Sequence, residues 1–486
     1  MNSSRPTVAR LWQLRLLCTA VEEEATVVQE KPKGIYQKLT ALNATGGTVS
    51  ETLNEHIAER KLIGKFQLLS IIRQLRKYRQ YGHALEVMEW MENREAKFSS
   101  PDYALRLDLI SKVNGLAAAE MYFNSLPALM KTKGTYGSLL NSFCKESEEN
   151  KALSLFKEME ELGFTCHTLP YNNIISLYLK INQPEKIPGL VEEMKQRKIS
   201  LDSFTYNIWM QSYALRDDIE GVEKVFHEMS ENDGALCDWV TYCSLAVHYL
   251  KAGLAEKAES ALKKAESVIG PKNREAYHYL ITLYSKLSNL KEVYRVWDSL
   301  KAAFQVTTNV SYLAMLGSLC RLKDLEGMER IFKEWESKCL SYDPRIVKMV
   351  LIAYLEKDRI KEAEALFKDA SGKASKPFLG GMELFMVYFL RRGQMDRCME
   401  FLEAAVSLSK SQTWIPQAST VDAFRTYFDG SGDGETADKL FNLLKDVSSL
   451  KPTAYSLLLR AYAAAGKTDP EMRRMLEEDE IEVGQF

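Results

Sequence analysis

The residues that come nearest to a catalytic motif are Gly466, Lys467 and Thr468, which end like a phosphate-binding loop. Such a loop also needs a glycine five residues before Gly466, because its backbone N–H groups must approach the phosphates closely. Ala461 stands at that position. The segment is therefore interpreted as an ordinary turn, and nucleotide chemistry is not predicted.

The histidines and cysteines do not predict a metal site or a cysteine-based active site either. The six histidines are scattered without a His-x-x-x-His pair, and the eight cysteines include no Cys-x-x-Cys. Zinc sites and zinc deaminases depend on such short spacings. We therefore expect no metal, no cofactor and no catalytic residue, so that the chain is not an enzyme. The cysteines are interpreted as buried thiols in a reducing compartment.

Tyrosines recur through the middle of the chain at steps of 35 or 36 residues. Sixteen residues after each of them stands a mostly small or aliphatic residue, such as Ala152, and four residues later a bulky apolar one, such as Phe156. A fixed period of this length predicts a stacked repeat architecture. The tyrosines are Tyr136, Tyr171, Tyr206, Tyr242, Tyr277 and Tyr312.

Each repeat has the pattern of two short helices. In residues 203–238, apolar positions with a spacing near 3.6 are interrupted by Asp217 and Asp218 and then resume. The fold predicted is all-α, a right-handed α-solenoid of about twelve helix-turn-helix repeats over residues 65–486. The repeats are predicted to start at Lys65, Ser100, Lys133, Thr168, Ser203, Trp239, Arg274, Asn309, Pro344, Leu379, Ala418 and Pro452.

Motifs at the repeat starts and junctions resemble those of the pentatricopeptide repeat (PPR) family, of the P-type subclass found mainly in plant organelles. They include Thr205-Tyr206-Asn207, Phe156-Lys157-Glu158-Met159, and the junction residues Asp202 and Asp238. The tetratricopeptide alternative requires a tryptophan at the tyrosine position and a Leu-Gly pair after it, and neither is present. The resemblance implies a protein that binds RNA along its stack of repeats.

The resemblance also implies which side chains read bases. In this family the residue after the tyrosine position and the last residue of the repeat form the reading pair. Asn172 with Asp202, and Asn207 with Asp238, resemble the uridine-preferring type, whereas other repeats carry residues such as Gly137 that offer no side-chain hydrogen bond. The alternative interpretation makes Asn172 and Asn207 helix N-terminal caps. The base-binding candidates are Asn172, Asp202, Asn207, Asp238, Cys243 and Asn273.

Positive charge is concentrated in one segment of the sequence rather than spread along the chain. The formal net charge is −2, whereas a reader of a long RNA strand usually has a basic surface. Seven cations occur without an acid between residues 60 and 83, and we predict that they contact phosphate. They are Arg60, Lys61, Lys65, Arg73, Arg76, Lys77 and Arg79.

The first 21 residues contain Arg5, Arg10 and Arg15 but no acid, and they alternate with Leu11, Trp12 and other apolar residues. This pattern is typical of an organelle transit peptide. We expect cleavage near residues 16–21 and a mitochondrial matrix location, with the chloroplast as the alternative. Residues 22–64 are predicted to form a partly helical extension, and no segment is apolar enough to span a membrane.

Three functions remain open from the sequence. The first is a structural RNA–protein adaptor associated with the plant mitochondrial ribosome, with ribosomal RNA and mitochondrial ribosomal proteins as partners and the small subunit as the expected location. The second is a factor that stabilises, processes or splices one organellar transcript, which would need consecutive reading repeats. The third is a protein–protein scaffold. No small-molecule substrate is expected for any of them.

Overall fold

The structure is a computed structural model that describes residues 34–59, 63–232, 237–270, 272–339, 341–373, 377–409 and 417–431. Within these residues every regular element is a helix and no strand occurs, which confirms the all-α class. The chain divides into two compact units, Met1–Leu287 and Ser288–Phe486. Within the described residues, no helix combines the length and apolar character needed to cross a bilayer.

The N-terminal unit consists of helical hairpins, in which odd-numbered helices are the first helices and even-numbered helices the second. Two short 3₁₀ turns, Ala128–Met130 and Pro184–Lys186, lie between hairpin elements. The helices are α1 (Ile35–Thr45), α2 (Val49–Ala58), α3 (Lys65–Lys77), α4 (Tyr81–Glu92), α5 (Ser100–Val113), α6 (Leu116–Ser125), α7 (Lys133–Glu146), α8 (Glu149–Glu161), α9 (Thr168–Lys180), α10 (Ile187–Gln196), α11 (Ser203–Ala214), α12 (Ile219–Asn232), α13 (Trp239–Lys251), α14 (Ala255–Val268) and α15 (Arg274–Lys286).

The C-terminal unit has the same alternation. Its helices are α16 (Leu290–Ala303), α17 (Asn309–Leu322), α18 (Leu325–Lys338), α19 (Pro344–Glu356), α20 (Ile360–Lys373), α21 (Leu379–Leu390), α22 (Met395–Ser409) and α23 (Ala418–Ser431). From α3 onward, the first helices of both units begin at the residues where the 35-residue period places repeat starts. The twelfth predicted start, Pro452, lies outside the described residues.

The repeat tyrosine joins the two helices of its own hairpin to the preceding repeat. The hydroxyl of Tyr136 donates to Glu158 Oε1 at 2.6 Å, and Tyr171 donates to Glu193 Oε1 at 3.0 Å, in each case 22 residues further along the chain. The ring of Tyr171 packs edge-on against Phe156 of the preceding second helix, with centroids 5.1 Å apart. Ala152, at the small position, is fully buried, which allows the paired helices to approach closely. The period therefore reflects one recurring packing unit.

First and second helices contact their neighbours differently. Successive first helices pack directly on one another within each unit, as do α5 with α7 and α17 with α19. Second helices of adjacent repeats show no comparable packing among the described residues, and ion pairs link them. These pairs include Lys151–Glu120 (2.7 Å), Lys195–Glu228 (2.7 Å), Lys257–Glu223 (2.6 Å), Lys373–Glu336 (3.3 Å) and Arg397–Glu364 (2.6 Å).

The described residues before Lys65 form a helical hairpin, α1 and α2, that packs on α4. Thr48 and Glu51 make a reciprocal capping box at the start of α2. Leu39 and Leu53 are fully buried, and Asn54 Oδ1 accepts a hydrogen bond of 3.0 Å from the indole of Trp90 on α4. This hairpin covers an apolar helix face that the first repeat would otherwise expose to water. The predicted transit peptide, residues 1–21, lies outside the described residues.

Candidate nucleic-acid interface

Asn172, the first predicted base reader, is held by its own chain. It lies in the first turns of α9 and is 6% exposed. Its amide nitrogen donates to both carboxylate oxygens of Asp202 at 3.2 and 3.3 Å, and its amide oxygen accepts from the Thr205 hydroxyl at 2.8 Å. Both ends of the amide are therefore satisfied within the protein, so a base would have to displace one of these bonds.

Asn207, the second predicted reader, is also buried but is bound differently. Its amide nitrogen donates to the Ser203 carbonyl at 2.8 Å and to the Thr241 hydroxyl at 3.2 Å. Its amide oxygen is buried and accepts no hydrogen bond from the described residues. Asp238 makes no contact with it comparable to that of Asp202 with Asn172. The two pairs that look alike in sequence therefore differ in structure.

The helix caps are the junction residues, not Asn172 and Asn207. Asp202 accepts from the Thr205 backbone N–H at 2.8 Å, and Asp238 accepts from that of Thr241 at 2.9 Å. Asn273 caps α15 in the same way through Ala276 N at 3.2 Å. The interpretation of Asn172 and Asn207 as N-terminal caps is wrong, because both lie inside their helices. The last residue of these repeats satisfies a backbone donor that would otherwise lack a partner.

In other repeats, too, the residue after the tyrosine position is buried or bonded within the chain. Burial raises the pKa of the Cys243 thiol to about 12, and Asp238 adds to that shift. His278 is 7% exposed, and burial lowers its pKa to about 4, with the charge of Arg274 acting in the same direction. Glu383 accepts from the Gln417 backbone N–H at 3.1 Å and from the Thr420 hydroxyl at 2.9 Å, so it is bonded to the start of the next first helix.

The cations predicted to contact phosphate on α3 fall into two groups. Arg73 and Lys77 are exposed. Arg76 is hydrogen-bonded to Asp108 on α5, which Lys112 also contacts at 2.8 Å. Burial raises the pKa of Asp108, but Lys112 and Arg76 outweigh it and hold the pKa below its ordinary value.

The remaining predicted cations lie at the edges of α3. Lys65 forms an ion pair of 2.8 Å with Asp102 of the next repeat. Arg79 adopts a left-handed backbone conformation with φ 60° in the turn after α3. Arg60 and Lys61 lie outside the described residues. Arg79 is also exposed, so Arg73 and Lys77 are the exposed cations of this segment that lie on α3 itself.

A row of cations, of which only Lys77 was predicted from the sequence to contact phosphate, follows the ends of the first helices in the N-terminal unit. Lys180 Nζ donates to the carbonyl of Lys145, which ties α9 to α7 at this edge. Burial lowers the pKa of Lys145, and the nearby charges of Lys112 and Arg76 lower it further. The row consists of Arg216, in the turn after α11, and of six lysines in the last turns of their helices, Lys77, Lys112, Lys145, Lys180, Lys251 and Lys286.

The 35-residue period could have revealed this row, since its members stand at or next to the thirteenth position of each repeat. Among the described residues, no acid lies within ion-pair distance of Lys77, Lys145, Lys180 or Lys251. Except for α14, the second helices of the same unit carry more acids than cations, for example α4 and α8. The positive potential of this unit is therefore concentrated along one edge of the first helices.

The same surface offers no inorganic site in the part of the chain that the structure describes. No three His, Cys, Asp or Glu side chains come together there in a way that could hold a metal ion. The interface can therefore offer cationic side chains, backbone groups and a few exposed apolar residues. Such groups suit a phosphate-bearing polymer, which needs charge along a line rather than one deep cavity.

Comparison with known proteins defines the class. Profiles of the PPR repeat family match residues 167–215, and those of the PPR repeat match residues 134–164, 204–233 and 310–340. The mitochondrial pentatricopeptide repeat-containing protein At1g02370 of Arabidopsis thaliana is 42% identical over 461 residues, which cover 94% of this chain and 86% of that protein. The chain belongs to the pentatricopeptide repeat family, as the motifs predicted.

Two further relatives and one solved structure are similar to most of this chain. Large ribosomal subunit protein mL101 (rPPR4) of Arabidopsis thaliana is 38% identical over 454 residues, covering 93% of this chain and 92% of that protein. The mitochondrial pentatricopeptide repeat-containing protein At4g01990 of the same plant is 41% identical over 93% of this chain and 90% of that protein. Among solved structures, maize PPR10 matches with 15% identity and a TM-score of 0.43, over 94% of this chain and 69% of that one.

Proposed function

We propose that the chain is a non-catalytic RNA-binding protein of the plant mitochondrial matrix that acts as a structural adaptor between RNA and protein in the mitochondrial ribosome. The observation that carries this proposal is a contrast between two parts of the candidate interface. Lys77, Lys145, Lys180 and Lys251 of the cation row are exposed and form no ion pair with the described residues, whereas Asn172 and Glu383 are occupied by bonds to their own chain. Such a surface grips a phosphate backbone but discriminates poorly among bases.

Similarity to mL101 supports the ribosomal setting, since the alignment extends over nearly the whole of both chains. The name of that relative places it in the large subunit, so we propose the large subunit for this chain in place of the small subunit expected from the sequence. Relatives named as mitochondrial support the location. Ribosomal RNA and neighbouring ribosomal proteins are the partners that follow.

The second candidate is a factor specific to one transcript. It is favoured by the two consecutive repeats that carry Asn172 and Asn207 with an aspartate at their last position. In the second of these repeats, the buried amide oxygen of Asn207 has no partner among the described residues and could gain a hydrogen bond. One such repeat is too little for recognition of a sequence, and we therefore rank the adaptor first.

Sedimentation separates these functions. A tagged chain expressed in plant cells is followed through a sucrose gradient of mitochondrial lysate that resolves both ribosomal subunits. The adaptor should co-sediment with the large subunit in near-stoichiometric amount. Recovery in light fractions with one dominant cross-linked transcript would favour the second candidate. Recovery without any cross-linked RNA would favour a protein–protein scaffold.

Charge reversal tests the interface itself. Lys145→Glu with Lys180→Glu should weaken RNA binding and reduce its salt dependence, because a phosphate that the protein no longer neutralises keeps its condensed counterion. The matched control reverses Lys157 and Lys224, two exposed lysines on second helices that lie away from the row. Equal binding by the row variant and the control would contradict the proposed interface. Arg76 is unsuitable for this test, because its reversal would place a second carboxylate beside Asp108.

A further inference from the structure

A cavity of about 330 Å³ opens at one edge of the C-terminal unit, where a hairpin meets the first helix of the next repeat. This volume lies near the lower end of the range found for ligand sites, about 300–1,000 Å³. Met328 and Ala353 in its lining are buried, and the other two apolar residues are half-buried. The apolar lining comes from the last turn of α17, the first turn of α18 and the last turn of α19, and consists of Cys320, Leu325, Met328 and Ala353.

A small side chain on α19 helps to keep this cavity open. Ala353 is the tenth residue of its repeat, and Leu177 and Leu283 stand at the same position in two other repeats. Those leucines are 1% and 0% exposed, so the larger side chain packs inside the repeats that carry it. The alanine therefore leaves unfilled a space that a leucine can occupy in this architecture.

The thiol of Cys320 contributes to the cavity wall as an uncharged group. Burial raises its pKa, and the charge of Glu356 acts in the same direction. A neutral thiol behaves as a small apolar side chain. The wall therefore offers sulfur and aliphatic carbon, and its lining residues include no aromatic ring on which a base could stack.

Three charged residues stand at the mouth of the cavity. Lys323, Glu356 and Lys357 are exposed and line it, and none of them forms an ion pair with the described residues. Two cations with one acid give the mouth a net positive charge, which favours a carboxylate on the ligand. The acid at the same mouth opposes a phosphate chain, which would bring a negative charge with every nucleotide.

We infer that this cavity binds a short acidic segment of a partner protein, which inserts an aliphatic side chain between Met328 and Ala353 and places an adjacent carboxylate against Lys323 and Lys357. The inference rests on the adaptor function proposed above, for which it supplies a protein-binding site. The cation row belongs to the N-terminal unit and the cavity to the C-terminal unit, so RNA and the acidic segment are bound by different residues.

A display library of random 12-residue peptides, selected on the full chain, tests this chemistry directly. The wild type should enrich peptides in which leucine, isoleucine or methionine stands next to aspartate or glutamate. Ala353→Leu should weaken the binding of an enriched peptide roughly 10- to 100-fold, because its own side chain takes the place of the inserted one. Ala302→Leu adds the same side chain at an exposed position of α16, and this matched control should leave binding unchanged.

Loss of the lysine charges tests the carboxylate contact. Lys323 has a left-handed backbone with φ 58°, a conformation that Gly253 and Gly393 adopt at the same position of their repeats. Lys323→Gly therefore removes a charge without straining the turn. Combined with Lys357→Ala, it should weaken the enriched peptide roughly 2- to 30-fold at low ionic strength and less at high ionic strength. Lys333→Ala, at an exposed position of α18, is the control.

The outcomes separate this inference from the RNA-binding function. Enrichment of no such peptide, or equal binding of the enriched peptide by the wild type and Ala353→Leu, would overturn the inference. Weaker binding of a single-stranded RNA by the cavity variants, without peptide binding by the wild type, would assign the cavity to RNA and also overturn it. Peptide binding by a wild type that binds no RNA would support the cavity and overturn the adaptor function. Thermal unfolding checks that each variant is folded.

Discussion

Replacing Asp202 should cost more than replacing Asp238, although the two residues look equivalent in sequence. Both aspartates cap the next first helix, and loss of such a cap costs about 1 kcal/mol. Asp202 also accepts from the buried amide of Asn172, at 3.2 Å, and Asp238 has no corresponding bond. A buried donor left without a partner costs a further ~1–3 kcal/mol. We expect about 2 kcal/mol or more for Asp202→Ala and about 1 kcal/mol for Asp238→Ala.

Hydrogen exchange followed by mass spectrometry measures this difference locally. Protection of the α11 amides should fall roughly thirty-fold in Asp202→Ala, whereas that of the α13 amides should fall about five-fold in Asp238→Ala, at ~1.4 kcal/mol per tenfold change. Asp202→Ser keeps a capping oxygen but is too short to reach Asn172, so its effect should be intermediate. Equal losses of protection in the two alanine variants would refute the second role of Asp202.

Three other perturbations test the fold. Gly327→Ala should destabilise the C-terminal unit, because an added Cβ would lie 2.0 Å from the Tyr294 hydroxyl. Gly189→Ala, where nothing lies within 4 Å of the added Cβ, should stabilise its helix by about 0.5–1 kcal/mol. Thermal unfolding of the two variants compares these effects. Burial lowers the pKa of His248 to about 3, so the contribution of its neutral form to stability is complete above pH 6.5 and decreases as the pH falls toward 3. Urea unfolding of the wild type should therefore lose up to about 1.4 kcal/mol of stability per pH unit in this range. His248→Gln should show a smaller dependence on pH there. The pKa of Asp108 lies below its ordinary value, so its ion pairs stabilise the fold above about pH 3.8 and are lost as the pH falls further; Asp108→Asn should be less stable at pH 7 and should differ less from the wild type in acid.

The repeat architecture was predictable because its cause is local and recurrent. The tyrosine, the small residue and the bulky residue of one repeat occupy fixed positions in one hairpin, so each repeat gives the same signal. Whether Asn172 is open to a base was not predictable in this way. Its partners lie far along the chain: Asp202, 30 residues away, ends the same repeat, and Thr205, 33 residues away, belongs to the next. Their presence in the sequence does not reveal where their bonds are directed.

The cation segment on α3 illustrates the same limit. In the sequence, all the cations of this acid-free run look equivalent. In the structure, Arg76 bonds to an aspartate 32 residues later, whereas Arg73 remains exposed. By contrast, the row from Lys77 to Lys286 was within reach of the sequence, since the period that places the tyrosines also places these cations. For locating a cationic surface in this chain, charges at the same position of successive repeats are therefore more informative than charges that are adjacent in sequence.

The ion pairs between second helices have a mechanical consequence. First helices are joined by close packing, whereas the second helices are linked by pairs such as Lys151–Glu120 and Lys257–Glu223, whose side chains are a third to a half exposed. Exposed pairs of this kind contribute about 0–1 kcal/mol each, so thermal motion opens and recloses them one at a time. Each hairpin can then pivot slightly on its packed side, which makes each unit compliant in bending and softer at higher ionic strength.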